Sequence, residues 1–120
     1  MLRRCRYVIA VPNLRRSVNY YCDVLGFEVT EVSDPGWRFL RRDECIIMAG
    51  ECPDALLPNA LGDHSYFAYL EVDDAEKLYA SLVASGVDIV KPLRAEPWGM
   101  CEFGIRTIDG HRMMFGCPTT

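Results

Sequence analysis

The sequence predicts an α+β fold: two tandem βαβββ modules forming a curved antiparallel half-barrel sheet, with helices on the outer face. Three observations predict it. Short β-branched runs with alternating polarity are interrupted once in each half by a stretch of helical period. Each helical stretch stops at a glycine, Gly26 in the first half and Gly86 in the second. The halves also align at an offset of about sixty residues, the mark of an internal repeat: Val11 faces Val72, Asn13 faces Asp74, and Leu25-Gly26-Phe27 faces Ser85-Gly86-Val87.

The first strand covers residues 6–11 and closes at Pro12-Asn13, with Asn13 placed to cap a helix. Leu14, Val18, Tyr21, Val24 and Leu25 then recur at helical spacing up to Gly26. Residues 27–32 alternate as a strand, Asp34-Pro35-Gly36 turns, and 37–41 and 45–49 give two more strands. Prolines, glycine and small residues mark 51–63 as a linker between modules of about 1–50 and 64–120, all within one domain. The order then repeats. A strand at 66–72 leads to Asp73-Asp74-Ala75-Glu76, which opens a helix carrying Leu78, Leu82 and Val83. Strands at 87–90, 101–107 and 112–116 follow, with a loop over 92–100 and a tight turn at Asp109-Gly110. A half of some sixty residues is marginal alone, so the halves must share a core or a partner.

Composition limits the function. The chain of 120 residues carries 13 Lys+Arg against 17 Asp+Glu, a net charge of -4, which disfavours binding to nucleic acid. No apolar run approaches a membrane span, and Met1-Leu2-Arg3-Arg4 leads into a mixed strand rather than a secretory core, so a cytoplasmic location is expected. Six cysteines without a Cys-x-x-Cys spacing read as reduced thiols acting as small hydrophobes, not as a zinc site.

The run from Val11 to Phe27, the Glu71-Val72-Asp73-Asp74 closing the second-half strand, and the stretch from Pro97 to Arg112 resemble, in this order, the glyoxalase, bleomycin-resistance and extradiol-dioxygenase proteins of the vicinal oxygen chelate superfamily. The resemblance covers nearly the whole chain. It implies a concave sheet face that in the enzymes holds a divalent metal through His, Glu or Gln from the first and last strands of each module. Carried over, the ligand positions fall on Arg6, Met48, Phe67 and Met114. Arginine is a permanent cation, phenylalanine has no donor, and thioethers suit soft metals only, so no metal and no cofactor is expected. His64 and His111, the only histidines, match no ligand position and read as surface or capping residues.

What remains resembles the metal-free, bleomycin-resistance branch, in which two chains associate and bind a small molecule. Strand alternation puts Arg6 on the inward face with Val8 and Ala10, and Phe67 with Tyr69 and Glu71. The candidate ligand-binding residues are Arg6, Trp37, Met48, Phe67, Tyr69, Trp98, Arg106 and Met114: an apolar floor, a few polar groups and two indoles to close over a planar or cationic ligand. Met or Phe on a sheet face also suits packed core, Trp98 also suits a staple for its loop, and Arg6 is within choice of Glu71 or Glu102 as an ion-pair partner. The leading expectation is a dimeric small-molecule binding protein. The alternatives are a glyoxalase-like lyase, isomerase or dioxygenase using Glu71, Glu102, Tyr69 or His64, and a regulatory partner domain with a packed concave face.

Overall fold

The structure is a computed structural model that describes residues 1–62 and 64–119. Asp63, at the end of the expected linker, and Thr120 lie outside the described residues. Two compact units divide within that linker, Met1–Leu56 and Leu57–Thr120. The first contains β1 (Tyr7–Val11), α1 (Leu14–Asp23), β2 (Glu28–Glu31), β3 (Trp37–Arg42) and β4 (Cys45–Glu51). The second contains β5 (Tyr66–Glu71), α2 (Ala75–Ala84), β6 (Asp88–Ala95), β7 (Met100–Arg106) and β8 (Arg112–Pro118). Each is the βαβββ module the sequence predicts.

The sheets are ordered β1-β4-β3-β2 and β5-β8-β7-β6. They are mixed rather than purely antiparallel, because β1 runs parallel to β4 and β5 parallel to β8. A helical crossover after the first strand carries the chain to the far edge, and the three following strands meander back until the last lies beside the first in the same direction. Two further expectations are corrected. Within the linker, Pro58–Leu61 forms a 3₁₀ turn, with proline at a helix start where its missing N–H costs nothing. The expected loop over 92–100 begins late, because β6 continues through Pro92 to Ala95. An edge strand tolerates proline, and the β6–β7 pairing shifts register on both sides of Lys91.

Both helices start from the caps the sequence marks: the Asn13 and Asp74 side chains accept hydrogen bonds from the Arg16 and Lys77 amides, each at 3.0 Å. Each helix packs on one face of its own sheet. Tyr21 and Leu14 of α1 are buried, as are Ile9, Val11, Leu40 and Ile47 on the strands. In the second unit the Phe103 ring stacks on Phe115 at 5.2 Å, and Tyr79 of α2 meets Phe103 edge-on. Because strand residues alternate, these core rows leave the intervening rows on the faces the helices do not cover.

Candidate functional site

In the first unit the ladder sets Val8 beside Met48 and Met48 beside Phe39, and in the next row of the same face Ala10 beside Gly50 and Gly50 beside Trp37. The Trp37 ring lies flat over Gly50, with two ring atoms 2.9 Å from where a Cβ would stand. This helix-free face is apolar, and Val8 is 62% exposed. Arg6 precedes β1 and is exposed.

The equivalent rows of the second unit differ in chemistry. Tyr69 pairs with Met114, which faces Gly104, and Glu71 pairs with Gly116, which faces Glu102. Gly104 is covered by the Tyr66 ring, and the Tyr69 hydroxyl crosses Gly116, 2.1 Å from its Cβ position. That hydroxyl donates to Glu102 Oε1 at 3.1 Å, and the Trp98 indole Nε1–H donates to the same oxygen at 2.9 Å. Lys91 Nζ takes the other oxygen at 3.1 Å and reaches Glu96 at 3.7 Å. Arg94 Nε also bonds the buried Glu96.

Glu102 is thus the hub: it is 3% exposed, while Tyr69 and Trp98 are 42% and 63% exposed. Burial pushes its carboxyl up, but the hydrogen bonds from Trp98, Lys91 and Tyr69 outweigh that and hold it below the usual carboxylate range. The Tyr69 phenol is pushed up to about 12, first by burial and then by its bond to Glu102. Glu96 is held low chiefly by its hydrogen bond from Arg94. The result is a pair of partly exposed aromatic side chains anchored on one ionised carboxylate that accepts three hydrogen bonds.

Of the eight residues expected from sequence, Trp37 and Met48 share the helix-free face of the first sheet, and Tyr69 and Met114 are neighbours on that of the second, joined by Trp98 from the β6–β7 loop. The other three stand apart. Phe67 falls at the β5 irregularity and packs edge-on against His111 at 5.8 Å. His111 is therefore buried rather than a surface residue. Arg106 stands at the far end of β7 and meets Asp88 at 3.4 Å. In the ladder Val8 stands beside Met48 and Tyr69 beside Met114, while Arg6 and Phe67 pair with neither methionine. Lys91, Glu96, Gly50 and Gly116 were not singled out from sequence; a glycine inside a strand is the signal that marks the last two as places where something crosses closely.

The sequence profile of the Glyoxalase/Bleomycin resistance protein/Dioxygenase superfamily matches residues 5–115. The chain belongs to that superfamily. No curated protein sequence matches it. Among solved structures it is similar to a bleomycin resistance determinant encoded on the transposon Tn5, with 18% identity, TM-score 0.79, and coverage of 99% of this chain and 100% of that one. A bleomycin-binding protein from Streptomyces verticillus, complexed with copper(II)-bleomycin, is 20% identical with TM-score 0.73 over 96% and 95% of the two chains. An antibiotic binding protein from Streptomyces sp. CB03234 is 17% identical with TM-score 0.72 over 99% of each.

Proposed function

We propose that the chain is a small-molecule binding protein of the glyoxalase and bleomycin-resistance type. It takes a partly apolar ligand on helix-free sheet faces, holds no resident metal, and works as a homodimer without nucleic-acid or membrane partners. The observation that carries this reading is the donor set. The positions that the resemblance assigns to the metal ligands hold Arg6, Met48, Phe67 and Met114, a cation, a hydrocarbon ring and two thioethers, and their ladder neighbours Val8 and Tyr69 add only a phenol that is committed to Glu102, so neither set fits a divalent ion. Among the described residues no three His, Cys, Asp or Glu side chains gather as a metal-binding group. Each unit by itself offers a surface that suits an organic ligand: in the first an apolar wall of Trp37, Met48 and Phe39, and in the second the Trp98–Tyr69 pair fixed on Glu102 beside Met114. That two of the structural relatives are a bleomycin-binding protein and an antibiotic binding protein supports that class of ligand.

Enzymatic use of Glu102 gains nothing from the geometry, because a carboxylate held low by three donors is a poor proton acceptor. Three measurements test the proposal. Elemental analysis of the purified protein is expected to find zinc, nickel, iron and manganese all far below one per chain; a stoichiometric metal overturns the reading. Metal-free and copper(II)-bleomycin and a panel of planar aromatic antibiotics are expected to include a ligand that raises the melting temperature and quenches tryptophan emission. A panel with no shift in either signal refutes binding, and light scattering that returns the mass of one chain refutes the dimer.

A further inference from the structure

Cys101 and Cys117 are opposite each other on neighbouring antiparallel strands β7 and β8. Both are half-buried free thiols, and no other cysteines among the described residues are ladder partners. The Thr107 amide donates to the His111 carbonyl at 2.8 Å and the Thr119 amide to the Gly99 carbonyl at 2.9 Å, which fixes which pairs of this ladder exchange hydrogen bonds. Alternation from either end makes Cys101 and Cys117 a hydrogen-bonded pair, whose Cα atoms stand about 5.5 Å apart. That separation lies within the span of disulfides, roughly 4.4–6.8 Å. Opposite Cβ atoms in a ladder lie about 4.5–5.5 Å apart, however, and a disulfide needs roughly 3.5–4.5 Å. A hydrogen-bonded pair lies at the long end of the ladder range, so closing the bond draws the Cβ atoms together by about 1–2 Å, and a strained, partly exposed disulfide is a readily reduced one.

The next row of the same two strands is Glu102 and Gly116, on the opposite sheet face. The cluster rests directly on that row: the Tyr69 hydroxyl crosses the Gly116 backbone so closely that a side chain there would meet it at 2.1 Å, and it is bonded to Glu102, which also holds Trp98. We propose that Cys101 and Cys117 are a reversible oxidation site, and that closing their disulfide displaces the Trp98–Glu102–Tyr69 cluster.

The oxidant is a small-molecule disulfide such as oxidised glutathione. One cysteine thiolate attacks it, breaking its S–S bond and releasing one glutathione thiolate. The second cysteine then gives up its proton to solvent and attacks the protein sulfur of the mixed disulfide, releasing the second glutathione. Two protein thiols are oxidised and one glutathione disulfide is reduced to two thiols. Burial and then the neighbouring Cys117 and Glu76 push the Cys101 thiol up, against a smaller opposing effect of Lys91, so the neutral thiol predominates at neutral pH and exchange quickens as pH rises.

The test uses the intact folded chain, equilibrated in glutathione buffers of rising oxidised fraction, trapped with a maleimide and weighed by mass spectrometry. Labelled thiols are expected to fall from the six of the sequence to four, with a peptide containing Cys101 linked to one containing Cys117. In Cys101→Ser and Cys117→Ser chains all five remaining thiols are expected to stay labelled. A wild-type count that stays at six, a link between other cysteines, or a persistent glutathione adduct without a cross-link overturns the site, and none of these outcomes depends on a variant folding. In a Trp37→Phe background, where emission reports Trp98, oxidation is expected to shift the spectrum and reduction to restore it. A cross-link that leaves Trp98 emission unchanged overturns the coupling.

Discussion

Gly116→Ala tests the packing of the Glu102 cluster. The new methyl group would stand 2.1 Å from the Tyr69 hydroxyl oxygen, 2.9 Å from Cζ and 3.2 Å from Glu102 Cβ. The hydroxyl is the far end of a flexible side chain, so Tyr69 swings away and its hydrogen bond to the ionised Glu102 is lost. A hydrogen bond to a charged group contributes about 1.5–3 kcal/mol, and the lower end applies because the partly exposed phenol regains water. The tight contact with Glu102 adds to the cost, whereas alanine in a strand recovers about 0.5–1 kcal/mol over glycine. The expected net loss is about 1–2 kcal/mol, or a melting temperature lower by about 4–8 °C for a chain of this size. Thermal denaturation by circular dichroism measures it, in the wild type and in a Tyr69→Ala background where the obstructing ring is gone. There the same substitution should cost less than about 0.5 kcal/mol, since contacting residues are non-additive. Equal costs in the two backgrounds would refute the close approach of Tyr69 to Gly116.

The remaining predictions follow from the caps and the two titrating groups. Asn13→Ala and Asp74→Ala each remove a side-chain acceptor for a first-turn amide and should each cost about 1 kcal/mol in urea denaturation, additively, since the caps belong to different units. Glu102 has a folded-state pKa below its unfolded value, so its contribution to stability is complete above the ordinary carboxylate range and is lost as pH falls through the depressed value. Urea midpoints from pH 7 down to acid should therefore decline less steeply in Glu102→Gln than in the wild type; parallel declines would count against the shift. Tyr69 is the opposite case: its raised value means stability is present below the ordinary phenol range and lost as pH climbs from about 10 towards about 12. The difference in phenolate absorbance between wild type and Tyr69→Phe should show one tyrosine titrating near 12, and a difference curve centred on the ordinary value would contradict the bond to Glu102.

Most of the fold was legible because it is written in local chemistry. Alternating strands, the Asn13 and Asp74 caps, and the glycines after each helix are short-range signals, and each produced the element it marks. The parallel pairing of β1 with β4 was not legible, since it depends on where the chain returns after a crossover rather than on any residue. Pro92 misled for a related reason: proline argues against a central strand, but β6 lies at an edge, and edge position is a property of the sheet. Register explains the site residues. A one-residue irregularity beside Phe67 makes Tyr69, rather than Ala68, the neighbour of Met114 and leaves Phe67 out of the ladder, and alternation alone cannot reveal it. The cluster around Glu102 required three-dimensional pairing too, because its members come from β5, β6, the following loop and β7.

The repeat shows how one backbone plan supports two chemistries. Gly50 and Gly116 occupy equivalent places in β4 and β8, and each has an aromatic side chain laid across it, Trp37 in one module and Tyr69 in the other. Flanking residues decide the rest. Trp37 stands where the second module has Glu102, and Phe39 where it has Gly104, so the first face is apolar while the second carries a buried carboxylate with three donors. An apolar wall binds by area and discriminates weakly between shapes, whereas a fixed hydrogen-bonding group rejects molecules that leave it unpaired. Three of the roughly four acceptor lone pairs of Glu102 are taken by Trp98, Tyr69 and Lys91, and at 3% exposure the carboxylate is screened from a ligand on the proposed face by the two rings it holds. On this reasoning its contribution to ligand choice is made through the two aromatic side chains it orders. Glu102→Gln should accordingly weaken binding of a planar ligand about as much as loss of the Trp98 ring does, whereas a ligand that contacts the carboxylate directly would leave Trp98→Ala the milder of the two.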